Sequence, residues 1–166
     1  LICEEDSFEK GIEKAQQMIE GSCSMLLLTE EGIYAARDRL GRTPIVIGKK
    51  PGSFAAASES SAFPNLDYEI HQFLGPGEIV FMTPDGCQQR KKPGDTMQIC
   101  SFLWIYYGYP ASEYEGINTE YARNCCGKAL ADNDDIDIDC VAGIPDSGIG
   151  HAIGYANRKK IPYVRP

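Results

Sequence analysis

No apolar run in this chain is long enough to cross a bilayer. The longest, such as Met25-Leu26-Leu27-Leu28, fall far short of the roughly 20 residues that a spanning helix needs. Positive charge is also scarce. Sixteen Lys and Arg face 24 Asp and Glu, and the formal net charge of −8 disfavours phosphate backbones and anionic membranes as non-specific partners. Histidine is rarer still: His71 and His151 are the two, and neither has a partner at metal or general-base spacing. The seven cysteines include no Cys-x-x-Cys pair, and their odd number and scatter suit a reducing cytosol better than a disulfide framework. There is no internal repeat, no low-complexity tract and no secretory signal.

What is present is ordinary globular material. An apolar share of 43% and a charged share of 24% in 166 residues are enough to build a real core. Phe8, Ile12, Ala15 and Ile19 fall at helical spacing and predict an amphipathic helix over residues 6–20, capped by Asp6 or Ser7 and closed by Gly21. Strands are expected at Ser22–Thr29 and Ile33–Arg37 around Glu30-Glu31-Gly32, then at Pro44–Gly48 and Ser53–Ala57 around Lys49–Gly52. A third pair, Glu78–Met82 and Cys87–Lys92, is joined through Thr83-Pro84-Asp85-Gly86. Successive hairpins describe sheet-rich packing.

The character changes near Lys92-Pro93-Gly94-Asp95, which reads as a linker before the aromatic passage Ile99–Tyr109. A helix is expected from about Asn118 to Leu130 with Tyr121, Cys125 and Ala129 on one face. Ile136–Ile144 reads as a strand entering a buried parallel sheet. Pro145-Asp146-Ser147-Gly148 is then a sharp loop, Ile149–Lys159 a helix with Ile149, Ile153 and Ala156 aligned, and Ile161–Val164 the start of another strand. The fold class is therefore α+β passing into α/β. Two partial domains are expected, over residues 1–95 and 96–166.

Three features bear on chemistry. The turn Arg37-Asp38-Arg39-Leu40-Gly41 places charges between strands, with Gly41 free to take a positive φ. The loop Pro145–Gly148 has two readings. It is a helix cap with Asp146 or Ser147 at the N-cap, or a cradle in which backbone N–H groups and the helix dipole meet an anion, with Gly148 permitting close approach. Cys100 is by itself a small buried hydrophobe. The acidic run Asp132, Asp134, Asp135, Asp137 and Asp139 reads as a solvated rim rather than a cation site. The cluster Phe102, Trp104, Tyr106, Tyr107 and Tyr109 reads as packing between domains.

Several of these stretches resemble a known family. Ala36-Arg37-Asp38, Leu40-Gly41, Pro44 and the strand ending at Gly48, followed by Ala57-Ser58-Glu59-Ser60, resemble the glutaminase domain of class II glutamine amidotransferases. The stretch Val141–Ala156 resembles the first strand and helix of the phosphoribosyltransferase domain in the amidophosphoribosyltransferase family. Ile99–Ser112 resembles the segment that links the two domains there.

The resemblance implies a glutaminase part followed by the start of a type I phosphoribosyltransferase domain. It also implies a parent that takes ammonia from glutamine and displaces pyrophosphate from phosphoribosyl pyrophosphate (PRPP), giving phosphoribosylamine for purine synthesis. Asp146, Ser147 and Gly148 would approach the pyrophosphate, Ser147 would help to hold Mg²⁺, and Cys100 would be one ligand of a [4Fe–4S] cluster. Glutamine and PRPP are the implied small-molecule partners of a cytoplasmic homo-oligomer, with no nucleic acid and no membrane.

That family opens with a nucleophilic cysteine, whose free α-amine serves as its base. Here the opening is Leu1-Ile2-Cys3, so Cys3 is rejected as nucleophile and no catalytic residue is assigned. Arg37 and Asp38 match scaffold behind the glutamine pocket. The chain is expected to be an internal piece, catalytically incomplete, with the nucleophile upstream and both the remaining cluster ligands and the paired aspartates downstream. Leu103, Tyr109 and Ala111 replace the family's usual Glu, Arg and Asp, and Arg39, Arg42 and Thr43 are unusual in the first motif. An asparagine synthetase-like amidotransferase is the rival enzyme reading, and a degenerate scaffold paralogue the non-enzyme one.

Overall fold

The computed structural model describes residues 1–165, which divide into two compact units, 1–100 and 101–165. The first is built in layers. Helix α1 (Phe8–Met18) begins at Ser7, whose hydroxyl accepts the N–H of Lys10, and ends at Ile19, which has already turned to extended backbone. The helix therefore stops short of Gly21, which comes next with φ +115°. Strands β1 (Met25–Leu28), β2 (Ile33–Ala36), β6 (Ile79–Thr83) and β7 (Gly86–Lys91) form one antiparallel sheet in the order β1-β2-β6-β7. A second sheet has the order β4-β3-β5, with β3 at Val46–Lys50, β4 at Ser53–Ala57 and β5 at Glu69–Phe73.

Period-two alternation gives the first sheet two buried faces. Tyr34, Ala36, Ile79 and Phe81 meet Ile12 of α1 on one side. Ala35, Val80 and Met82 meet Ile45, Ile47 and Leu74 on the other. The unit is thus a helix, a sheet and a second sheet, which is why β2 and β6 are almost wholly buried.

Strand β5 has no strong sequence signal, since Ile70 is exposed and Glu69 and His71 are polar. It forms because β3 offers it an edge, with a bulge between Ile47 and Gly48. The edge of the Phe63 ring lies only 2.4 Å from where a side chain on Gly48 would begin, so only glycine fits there.

In the second unit, a single π turn (Leu103–Tyr107) precedes a short hairpin of β8 (Glu113–Tyr114) and β9 (Ile117–Asn118). Glu115 and Gly116 between them both have positive φ, as a primed turn requires. Asn118 then caps α2 (Thr119–Asp132), its Oδ1 accepting from the N–H of Tyr121 at 2.9 Å. Helix α3 (Ser147–Lys159) packs along α2.

Two expectations are corrected by this unit. The buried face of α2 is Thr119, Arg123, Gly127 and Ala131, whereas Tyr121 is exposed. The reason is close backbone approach. A Cβ on Gly127 would sit 1.9 Å from the carbonyl oxygen of His151, and one on Gly154 2.1 Å from that of Asn124. Glycine, not the larger apolar residues, decides which faces meet. Among the described residues, Ile136–Ile144 is no strand: Val141 makes one parallel bridge to Tyr163, and Ile136 and Ile144 are exposed. A ladder needs successive bridges to a paired neighbour, and here the 161–164 segment supplies a single one.

Candidate functional site

The charged turn after β2 is a closed hydrogen-bond centre. Arg37 is fully buried, donating from Nη1 to the Leu74 carbonyl and from Nη2 to the Gly41 carbonyl, both at 2.6 Å. Gly41 has φ +65°, and a Cβ there would lie 3.3 Å from Arg37 Nε. Asp38, 2% exposed, gathers the loop around its carboxylate. Oδ1 accepts the N–H groups of Leu40 and Arg42 at 3.1 Å each, and Oδ2 accepts that of Thr43 at 2.8 Å and the Ser22 hydroxyl at 3.1 Å. Ser24 Oγ donates to the Thr43 carbonyl at 2.7 Å and accepts the N–H of Asp38 itself at 3.0 Å. Burial pushes the carboxyl up, but the bonds from Thr43, Arg42, Ser22 and Leu40 outweigh it and hold it below the ordinary range. A carboxylate so fully engaged stabilises the loop and leaves no lone pair for substrate.

Cys3 is exposed in the 3₁₀ turn Ile2–Glu4. It lines a cavity of about 410 Å³ with Ile2, Glu5, Asp6, Phe8, Glu9 and Tyr34, among others. The neighbouring carboxylates are drawn to Lys14, 3.4 Å from Glu4 and 2.6 Å from Glu5.

The second candidate lies where α3 begins. Asp146 occupies the N-cap position but makes no side-chain cap bond, and the Pro145–Asp146 peptide is cis. Asp146 is exposed, while Ser147 and Gly148 are half-buried. Two of the amides available to an anion are already used. The N–H of Gly148 donates to the Ile144 carbonyl at 3.0 Å, and that of Ile149 to the Asp146 carbonyl at 3.2 Å. The glycine that permits close approach is Gly143, not Gly148. A Cβ on Gly143 would lie 2.5 Å from the Gly148 carbonyl oxygen, whereas one on Gly148 would find ordinary contacts from 3.6 Å outward. The segment before the loop therefore runs directly against the first turn of α3, a feature that sequence spacing did not reveal.

No group of three or more His, Cys, Asp or Glu that could hold a metal occurs among the described residues. Ser147 has no such carboxylate set around it, and Cys100 is exposed. The described residues alone do not make up a Mg²⁺ or iron–sulfur site. The acidic run is used structurally: Asp132 pairs with Arg158, and Asp134 Oδ2 accepts the Tyr155 hydroxyl at 2.6 Å. That bond, with a second from the Ile136 N–H, lowers the Asp134 carboxyl below its ordinary range. His71 lies edge-on to Phe54, and His151 Nε2 is 3.0 Å from the Ile105 carbonyl.

One functional-looking residue escaped the sequence reading. Arg123, 2% exposed, holds three carbonyls of the aromatic passage: Trp104 at 2.9 Å, Tyr106 at 3.0 Å and Gly108 at 2.7 Å. The available signal was its place four residues from both Thr119 and Gly127, on one helix face with small residues. Phe102, Ile105, Tyr106, Tyr107 and Tyr109 remain exposed. No helix among the described residues is long and apolar enough to cross a membrane.

Comparison with known proteins agrees with these features. Residues 3–65 match the family model of the glutamine amidotransferase domain. An amidophosphoribosyltransferase of Bacillus subtilis is 35% identical over 153 residues, covering 92% of this chain and 32% of its own length. One of Archaeoglobus fulgidus is 32% identical over 165 residues, 98% of this chain and 36% of the relative. Among solved structures, the glutamine PRPP amidotransferase of B. subtilis complexed with ADP and GMP superposes with a TM-score of 0.88 at 32% identity, over 97% of this chain and 36% of that one. The chain thus spans about a third of the length of the relatives it matches. The resemblance drawn from residues 34–60 and 136–156 holds along nearly the whole chain, and so does the mixed α/β class with its antiparallel sheets.

Proposed function

We propose that this chain, similar nearly throughout to amidophosphoribosyltransferases, is a stretch of a cytoplasmic glutamine-dependent PRPP amidotransferase serving purine biosynthesis. In this reading, residues 1–95 are the later part of a glutaminase domain, and residues 96–166 are a linker and the start of a phosphoribosyltransferase domain. What supports it is that two unrelated features share one chain. A carboxylate-centred turn in a layered antiparallel sheet is followed by a tight loop that feeds a helix N-terminus.

The reaction has two halves. Hydrolysis of the glutamine side-chain amide releases ammonia and glutamate. The ammonia then attacks the ribose carbon that carries pyrophosphate, so a C–N bond forms, pyrophosphate leaves and phosphoribosylamine results. The roles assigned to this chain's residues are binding and support. Arg37 and Asp38 keep the turn rigid. Asp146, Ser147 and Gly148 approach the pyrophosphate, with the Ser147 hydroxyl and N–H as the donors, since the Gly148 and Ile149 amides are engaged. The family's Mg²⁺, with Ser147 as one ligand, and its [4Fe–4S] cluster, with Cys100 as one, would each need ligands other than those described. The active protein is read as a homo-oligomer.

The test uses the full product of the gene that encodes this chain. Glutamine consumption that depends on PRPP and releases pyrophosphate is the expected result, with Ser147→Ala raising the KM for PRPP. Activity that needs aspartate and ATP instead would favour a synthetase. Inertness towards both would leave a scaffold.

A further inference from the structure

Residues 103–108 take their shape from two side chains outside the turn. In an α-helical continuation the N–H of Gly108 would bond to the Trp104 carbonyl, four residues back. It bonds instead to the Leu103 carbonyl, five residues back, at 2.7 Å. Trp104's carbonyl is thereby released, and Arg123 Nε takes it at 2.9 Å. Nη2 of the same guanidinium holds the Tyr106 and Gly108 carbonyls, and His151 Nε2 lies 3.0 Å from that of Ile105. Arginine stays charged at any ordinary pH and presents its donors in a fixed fork, so it can hold several divergent carbonyls at once. On the remaining side Gly108 is tightly confined, since a Cβ there would lie 2.5 Å from the Leu103 carbonyl oxygen and 2.7 Å from the Tyr114 ring.

We propose that Arg123 is a positioning residue that selects the π register of residues 103–108, with His151 as second support. Withdrawing the guanidinium lets the Gly108 N–H move from Leu103 to Trp104. A change of one residue in register rotates the chain beyond the turn by about 100° about the helix axis. The exposed ring of Tyr109 is therefore re-aimed relative to α2 and α3. This role is independent of the activity proposed above and can be tested without any substrate.

The test reads the acceptor of the Gly108 N–H directly, by NMR coupling across the hydrogen bond in the full chain. A second probe is Trp104, the one tryptophan, whose Nε1 donates to the Ile117 carbonyl at 2.9 Å and whose ring stands edge-on to Tyr114. In the native chain Gly108 couples to the Leu103 carbonyl. In Arg123→Met the coupling is expected to move to the Trp104 carbonyl, with a shifted tryptophan emission and unchanged helical circular dichroism. Arg123→Lys, which can hold one carbonyl but not three, is expected to show both couplings. Coupling to Leu103 that survives in Arg123→Met overturns the proposal, as does a turn that unwinds and shows neither coupling. If Arg123→Met does not fold, Arg123→Lys decides, because it keeps the charge and loses the fork. Coupling to the Leu103 carbonyl alone in that variant overturns the proposal.

Discussion

Replacing Asp38 by Asn keeps the shape of the side chain and removes its charge. One oxygen can still accept from Leu40 and Arg42. The new amide NH₂ then faces the Thr43 N–H, which can only donate, and the Ser22 hydroxyl, which must turn to accept. Two hydrogen bonds to a charged acceptor are lost, each worth roughly 1.5–3 kcal/mol, and the Thr43 N–H is left opposite another donor in a 2% exposed site. The expected destabilisation is about 3–5 kcal/mol at pH 7, a large part of a small domain's stability, and a fall in Tm of about 10 °C or more. Urea unfolding of both proteins at pH 7 and pH 3 provides the assay.

The pH dependence has a definite sign. The folded carboxyl is lowered relative to its unfolded value of about 3.9, so its stabilisation is present above that value and lost as pH falls through the folded one. The difference between native and Asp38→Asn protein should therefore hold steady from pH 7 to about 5 and shrink below about 4. A difference within about 0.5 kcal/mol at pH 7, or one that widens on acidification, would refute the role given to the carboxylate.

Two further outcomes rest on close backbone contacts. Gly127→Ala places a methyl group 1.9 Å from the His151 carbonyl oxygen, so α2 and α3 must separate. A loss of about 1–3 kcal/mol or more is expected, confined to residues 101–165 when amide exchange is mapped along the chain. Gly143→Ala should push the segment before the loop away from the first turn of α3, because the Gly148 carbonyl oxygen lies 2.5 Å away. Faster exchange at the Gly148 amide checks this, and unchanged protection there would count against the contact.

The hairpins and α1 were legible because their causes are local. Alternating apolar residues flank turns of the right chemistry at Glu30–Gly32 and Pro84–Gly86, and Ser7 sits where a helix needs a hydroxyl. Motif order across Arg37–Ser60 and Val141–Ala156 pointed to the family for a similar reason, since short stretches carry a great deal of spacing information. Tertiary structure decided the features that depend on partners distant in sequence. Strand β5 exists because β3 bulges at Gly48 to receive it, and Glu69–Phe73 alone carries too weak a pattern. Asp38 reads as an ordinary charged turn residue until Ser22, 16 positions earlier, is brought to its carboxylate.

The faces of α2 were misjudged for a related reason. Apolar periodicity favoured Tyr121, Cys125 and Ala129, but helices that approach to backbone contact select for the smallest residues, and a glycine leaves no hydrophobic signal. Arg123 was missed on the same ground. A charged residue is assigned to solvent by default, and only the folded chain shows three carbonyls of residues 104–108 converging on its guanidinium.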